Sequence, residues 1–132
     1  MTRKMRLTGF PRPDGSVGFR NHIIILSTVV CANHVVTQIA NEVPGCIPIT
    51  HQHGCDQLGS DAELTFRTMV GISSHPNVYG VLVVGLGCEQ LRIEKIVPPL
   101  LAAGKMVESF YIQESGGTTG SVTKGSVLVR SL

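Results

Sequence analysis

The chain has no tryptophan, and aromatic residues make up only 5% of its 132 positions. Charged residues account for just 15%, and Lys and Arg exceed Asp and Glu by a net +2. Scattered basic residues with so few aromatics lack the footprint of a nucleic-acid surface. Long apolar runs are missing too: stretches such as Ile23–Leu26 are far too short to cross a membrane. The basic segment Met1–Leu7 is followed by Thr8-Gly9-Phe10-Pro11, not by the apolar core of a signal peptide. These absences lead us to expect a cytoplasmic protein with no membrane or nucleic-acid partner. No Cys-x-x-Cys pair occurs among the four cysteines, which excludes a local zinc finger. In a reducing compartment these cysteines are expected to be thiols or ligands rather than disulfides. What the chain does have is apolar residues, 42% of the total, with a mean hydropathy of +0.23. That excludes a disordered chain, and the length suits one domain spanning 1–132.

Residues 1–21 read as an N-terminal arm, with a turn at Arg12-Pro13-Asp14-Gly15-Ser16 set by proline and glycine. From 22 onward the pattern is regular. His22–Val30, Cys46–Thr50, Val78–Leu86 and Val107–Gln113 are β-branched or apolar without alternation, the pattern of strands buried on both faces. Helical spacing is expected in Cys31–Val43, in a segment opened by a Ser60/Glu63 capping box, in Gly87–Ala103 and in Ser121–Leu132. Pro98-Pro99 should kink or restart the third helix, and Gly104 should end it. The fold class is therefore α/β: a three-layer, Rossmann-like or flavodoxin-like domain with a four-stranded parallel sheet in the order 2-1-3-4.

In open parallel sheets ligands bind beyond the carboxyl ends of the strands. Three cysteines fall there, each from a different strand: Cys31, Cys55 and Cys88. Cys46 begins the second strand and belongs at the opposite edge. His51 and His53 share the carboxyl edge with the cysteine trio. Thiolates and imidazoles are ligands of iron, zinc and iron–sulfur centres. Three thiols with an open fourth position suit a centre that also meets substrate. The bland alternative is that each cysteine is a small packing residue at a strand–helix junction. Glu89 reads as a general base or as an ordinary acidic residue at a helix start. Gly85-Leu86-Gly87 is only half of a dinucleotide fingerprint, since position 90 is Gln. Gly116-Gly117-Thr118 is either a plain connection or a row of N–H groups facing an anion.

Several stretches together resemble one family. Gly9-Phe10-Pro11-Arg12-Pro13-Asp14-Gly15, with Gly18-Phe19-Arg20-Asn21, is similar to the opening signature of the sugar-acid dehydratases. That group comprises altronate and galactarate dehydratases and the large subunit of sulfolactate sulfo-lyase. The likeness continues through Ser27–Cys31, His51–Cys55, Arg67-Thr68, His75-Pro76-Asn77, Gly80–Glu89 and Ile112–Thr118. It weakens at Asp56–Gly59 and at Pro98-Pro99.

The resemblance implies a lyase that eliminates water or sulfite from a hydroxy acid, with iron as Fe²⁺ or an iron–sulfur cluster. On it, Cys31, Cys55 and Cys88 are the expected metal ligands. His51 or His53, with Glu89, is expected to handle protons. Arg20, Asn21, Gln113, Gly116, Gly117 and Thr118 are the expected substrate contacts. Expected partners are a small hydroxy acid, the remaining domain or subunit of a longer enzyme, and a second copy in a homodimer. The isolated chain is expected to be inactive. Two other readings stay open: a non-catalytic structural or dimerisation module, and a flavodoxin-like small-ligand binding domain.

Overall fold

A computed structural model describes residues 4–132. The first three residues of the expected arm lie outside the described residues. The arm forms a small antiparallel hairpin, β1 (Phe10–Pro11) and β2 (Val17–Gly18). Its turn closes as expected: the Arg12 N–H donates to Ser16 O at 2.8 Å, and Gly15 adopts φ +84°.

The main sheet contains β3 (His22–Ser27), β4 (Cys46–Ile49), β5 (Val78–Gly85) and β6 (Met106–Tyr111). Their order is β4-β3-β5-β6 and every pairing is parallel, which is the expected 2-1-3-4. Helices α1 (Asn33–Glu42), α2 (Gly59–Ser73), α3 (Ile93–Ala102) and α4 (Gly117–Ser131) connect and flank the strands.

The core explains why the strands do not alternate in sequence. On β3, Ile24 and Leu26 join α2 and α3 in one cluster, while Ile25 joins α1 and α4 in another. On β5, Val81 and Val83 face the first cluster and Leu82 and Val84 the second. Both faces are covered, so both registers must be apolar. Burial of Val36 and Ile39 from α1 and Val129 from α4 on one side, and of Met69 from α2 and Ile96 and Leu100 from α3 on the other, fixes two helices on each face.

Several boundaries differ from the sequence reading. The first strand ends at Ser27, and residues 30–32 form a 3-10 turn leading into α1. Ser60 and Glu63 make no capping box: α2 starts at Gly59 after Leu58, with no side-chain cap. Residues 86–92 are not helical, because Glu89 is drawn inward, as described below, and α3 starts only at Ile93. α4 starts at Gly117, four residues early. Pro98 and Pro99 do not divide α3, which runs through both. They only leave the carbonyls of Glu94 and Lys95 without helical donors, and both residues are exposed, so water can satisfy those groups. Gly104 does end α3. It takes φ +73°, its N–H donates to Leu101 O at 2.9 Å, and that of Lys105 donates to Leu100 O at 3.1 Å. This pair of bonds is a Schellman closure.

Candidate functional site

The connections after β3 and β5 leave in opposite directions, one toward β4 and the other toward β6. Such a switch point opens a crevice at the carboxyl edge of the sheet. Cys31 follows β3 and Cys88 follows β5, so they flank this crevice. The loop after β4 folds over it. The Val30 N–H donates to His53 O at 2.9 Å, and the Gln90 N–H donates to Gly54 O at 3.3 Å. Gln57 N–H donates to Gln90 Oε1 at 3.0 Å, and Asn33 Nδ2 donates to His51 O at 2.7 Å. Each cysteine is thus one or two residues from a bond that ties its loop to a neighbour. Gly54 makes this closure possible. It is buried with φ +99°, and a Cβ there would strike the Thr28 carbonyl and Val29.

Cys31, Cys55 and Cys88 are all exposed free thiols. The Cys55 thiol is pushed up first by Asp56, then by slight desolvation, then by Cys88 and Cys31. Cys55 therefore lies within electrostatic reach of both other thiols. Cys46, at the start of β4, is away from this edge, and burial pushes its thiol up.

The two histidines have different surroundings. His51 is half-buried, and Nε2 lies 2.8 Å from Ser27 O. Its Nδ1 accepts from the His53 N–H at 3.0 Å. A carbonyl only accepts and a backbone N–H only donates, so His51 is the neutral Nε2–H tautomer. Burial holds it below the usual histidine range, partly offset by the Ser27 bond. Neither ring nitrogen is left for substrate. The His53 ring is exposed, stacks against His51 with centroids 6.2 Å apart, and carries no ring hydrogen bond among the described residues.

Glu89 is only 3% exposed. Its Oε1 accepts from Thr28 Oγ1 at 2.7 Å and from the Leu86 N–H at 3.0 Å. The Gly87 N–H donates to Oε2 at 2.6 Å. This carboxyl group cross-links the loops after β3 and β5 under the crevice. It also consumes the N–H groups that a glycine-rich turn offers to a phosphate, so the half fingerprint at Gly85-Leu86-Gly87 is already filled from within. Thr28, Asn33, Gln57 and Gln90 were visible in the sequence with no role attached. Their role is to stitch loops, and only their distant partners reveal it.

The expected substrate contacts divide between the two edges. Gln113 is at the carboxyl edge: its N–H donates to Leu86 O at 3.1 Å, and its side chain lies over Gly87. Gly116, Gly117 and Thr118 begin α4 at the same edge, where Thr118 lines a groove with His34 and Gln38. Arg20 and Asn21 precede β3 and are at the amino edge. The six residues of β3 separate them from the cysteine loops by about 20 Å. Asn21 Oδ1 accepts from Arg12 Nη2 at 2.9 Å, and Arg20 Nη1 donates to its neighbour Phe19 O at 3.0 Å. The structure does not bring these two residues to the cysteines.

The donor set has the right chemistry for iron: three solvent-accessible thiols from three tied loops, with an open side. As the side chains stand, no three His, Cys, Asp or Glu groups among the described residues form a metal-holding cluster. A bound cation would relieve the repulsion from Asp56, Cys88 and Cys31 that raises Cys55.

Comparison with known proteins adds independent information. Residues 9–132 match the family model for the second domain of D-galactarate dehydratase/altronate hydrolase. The chain is 38% identical over 108 residues to "(2R)-sulfolactate sulfo-lyase subunit beta" of Chromohalobacter salexigens, covering 82% of this chain and 27% of that protein. It is 32% identical over 134 residues to "Altronate dehydratase" of Bacillus subtilis, covering 94% of this chain and 27% of that protein. With the Escherichia coli protein of the same name it shares 39% identity over 95 residues, 64% of this chain and 19% of that one. The chain thus spans about a quarter of the length of these relatives or less. No solved structure is a significant match.

Proposed function

The chain belongs to the D-galactarate dehydratase/altronate hydrolase family, and on that premise we propose that it supplies the metal-binding edge of a lyase. The reaction is elimination of water, or of sulfite, from a hydroxy acid. The observation that carries this reading is the stitching of the Cys31, Cys55 and Cys88 loops across the switch point. Cys31, Cys55 and Cys88 would hold iron, which when bound supplies Lewis-acid polarisation.

The chain's own residues do the rest. His53, exposed and with a free ring, accepts or returns a proton. His51 positions it, because its Nδ1 grips the His53 backbone N–H. Glu89 holds the two crevice loops at a fixed spacing rather than moving protons, since it is buried and fully engaged. The N–H groups at the start of α4 offer a carboxylate the positive end of a helix. The edge is open to water, and an exposed edge stabilises charge weakly. We therefore expect the reaction to need a further domain or subunit, and the 132-residue chain alone to be inactive. One relative is a "subunit beta", which supports a multi-part enzyme.

The test is anaerobic reconstitution of the chain with Fe²⁺, with and without sulfide, followed by metal analysis and visible spectra. Parent and Cys46→Ser protein should bind iron, and Cys31→Ser, Cys55→Ser and Cys88→Ser should each lose it. Because these thiols are exposed, each serine variant should unfold within about 0.5 kcal/mol of the parent. Failure of the parent to bind, or binding that survives in a triple serine variant, refutes the metal edge and favours a non-catalytic module.

A further inference from the structure

The two outer strands of the main sheet, β4 and β6, are built differently along their open sides. In a parallel ladder both backbone groups of a residue turn to one side, and successive residues alternate. The Thr28 N–H donates to Val84 O at 3.0 Å, so Leu82 and Val84 serve β3 while Val81 and Val83 serve β6. Carried across the register, the same alternation turns Cys46 and Pro48 of β4 outward, and Val107, Ser109 and Tyr111 of β6 outward.

The β4 side is closed to a further strand. Pro48 has no N–H, and the Cys46 N–H bonds back to Val43 O at 3.4 Å. Proline on an outer strand is a familiar guard against strand pairing. The β6 side has no such guard. Met106–Tyr111 contains no proline, glycine or lysine, and it pairs with β5 without a bulge. Among the described residues the outward N–H groups of Val107, Ser109 and Tyr111 have no partner. The carbonyls of Val107 and Ser109 have none either, and that of Tyr111 accepts only from Ser115 Oγ, at 2.8 Å. An open groove of about 320 Å³, lined by Ser109, Phe110, Tyr111 and Lys124 among others, lies beside this edge.

A second copy of β6 fits the edge. In an antiparallel pair about a two-fold axis normal to the sheet, opposite residues share a face. A register centred on Glu108 sets two carboxylates directly opposite each other, which is destabilising. A register centred on Ser109 sets Ser109 opposite itself, Val107 opposite Tyr111 and Glu108 opposite Phe110. Each outward N–H then meets a carbonyl of the other copy. Lys124 Nζ lies 5.3 Å from the Phe110 ring centroid, so Glu108 of one copy comes to Lys124 of the other. The strand's one charged residue thus finds its counter-ion across the axis, and the symmetry repeats the pair. That is the self-complementarity an isologous interface requires.

We propose that two copies of the chain join through their β6 edges, in the register centred on Ser109, into one continuous eight-stranded sheet. The two-fold axis directs the cysteine edges of the copies away from each other. The proposal is independent of the lyase reading.

The test is sedimentation equilibrium of the 132-residue chain with reductant present, joined to amide hydrogen exchange. The parent should pass from 14.1 kDa toward twice that mass as concentration rises to about 0.5 mM. In the dimer the amides of Val107, Ser109 and Tyr111 should gain protection, while those of Glu108 and Phe110, already paired to β5, should change little. Ser109→Pro, which places on β6 the guard that β4 has, should be monomeric. Glu108→Lys and Lys124→Glu should each weaken the dimer by about tenfold, by replacing ion pairs with like-charge contacts. The double variant should regain the parent affinity, which also keeps the proposal testable if Ser109→Pro fails to fold. A parent that stays monomeric overturns the proposal. So does a dimer indifferent to these variants, or one that protects none of the outward amides. Species larger than a dimer overturn closure through this single edge.

Discussion

The two edges of the sheet invite comparison, because both are rich in polar residues with distinctive spacing. At the amino edge nearly all of that polarity is used internally. Arg12 Nε donates to Pro76 O at 2.7 Å, and Arg12 Nη2 donates to Arg20 O at 3.1 Å and Asn21 Oδ1 at 2.9 Å. Asn77 Oδ1 accepts from the Phe19 N–H at 2.8 Å. Lys105, only 6% exposed, donates to His75 O and Val78 O at 2.9 and 2.7 Å, which satisfies a cation that burial holds below the usual lysine range. The opening signature is a clasp that binds the arm to the turn before β5. At the carboxyl edge, by contrast, an inner set of residues is satisfied and an outer set is not. Glu89, Thr28 and His51 are engaged, while Cys31, Cys55, Cys88 and His53 face solvent. A motif whose polar groups are all paired reports on folding. One that leaves reactive groups unpaired on a rigid support reports on chemistry.

That contrast can be broken at its strongest point first. Gly54→Val would drive a Cβ into the Thr28 carbonyl at a φ that valine avoids. We expect a loss of about 4 kcal/mol, combining strain and overpacking, measured by urea unfolding. Iron binding should vanish with it even where the protein remains folded at low temperature. Unchanged stability would mean that the three loops are not held together as described.

A smaller effect should separate the edges. Arg12→Ala removes three hydrogen bonds of a charged donor, and should cost about 1–2 kcal/mol. Iron binding at saturating metal should stay at parent levels, because the clasp is one sheet-length away. If Arg12→Ala abolished ligand binding while the chain stayed folded, the amino edge would belong to the site after all.

The smallest expected effect is on pH dependence. Burial lowers His51 in the folded chain from its ordinary value of 6.5. As pH falls below that value the unfolded chain takes up the proton first, so the stability tied to neutral His51 is complete above pH 6.5 and is lost as pH drops toward the folded value. The urea midpoint should fall through this window in the parent and fall less in His51→Gln. An equal slope in both would show that His51 is not the titrating group.

Much of the architecture was legible because it depends on local pattern. Runs such as Ile23–Leu26 and Val81–Val84 are apolar in both registers, which only a doubly covered strand requires. The order of strands and helices then assigned Cys31, Cys55 and Cys88 to one edge and Cys46 to the other, since strand direction follows once the sheet is parallel. Helix starts were less legible. Ser60 and Glu63 have the spacing of a cap, yet the helix begins at Gly59 before them. Glu89 had the look of an ordinary acidic residue at a helix start, yet it folds inward.

By itself, then, the sequence determined the layers, the strand order and which loops meet at the carboxyl edge, because periodicity and chain direction are local properties. Only the tertiary structure decided which polar groups remain free there. Thr28 and Glu89 are 61 residues apart, and Arg12 and Pro76 are 64 apart. Whether a side chain is satisfied depends on partners that folding brings in from such distances, and no local pattern encodes them. The same long-range pairing distinguishes His51, with both nitrogens engaged, from His53, two residues away, whose ring has no hydrogen-bond partner among the described residues.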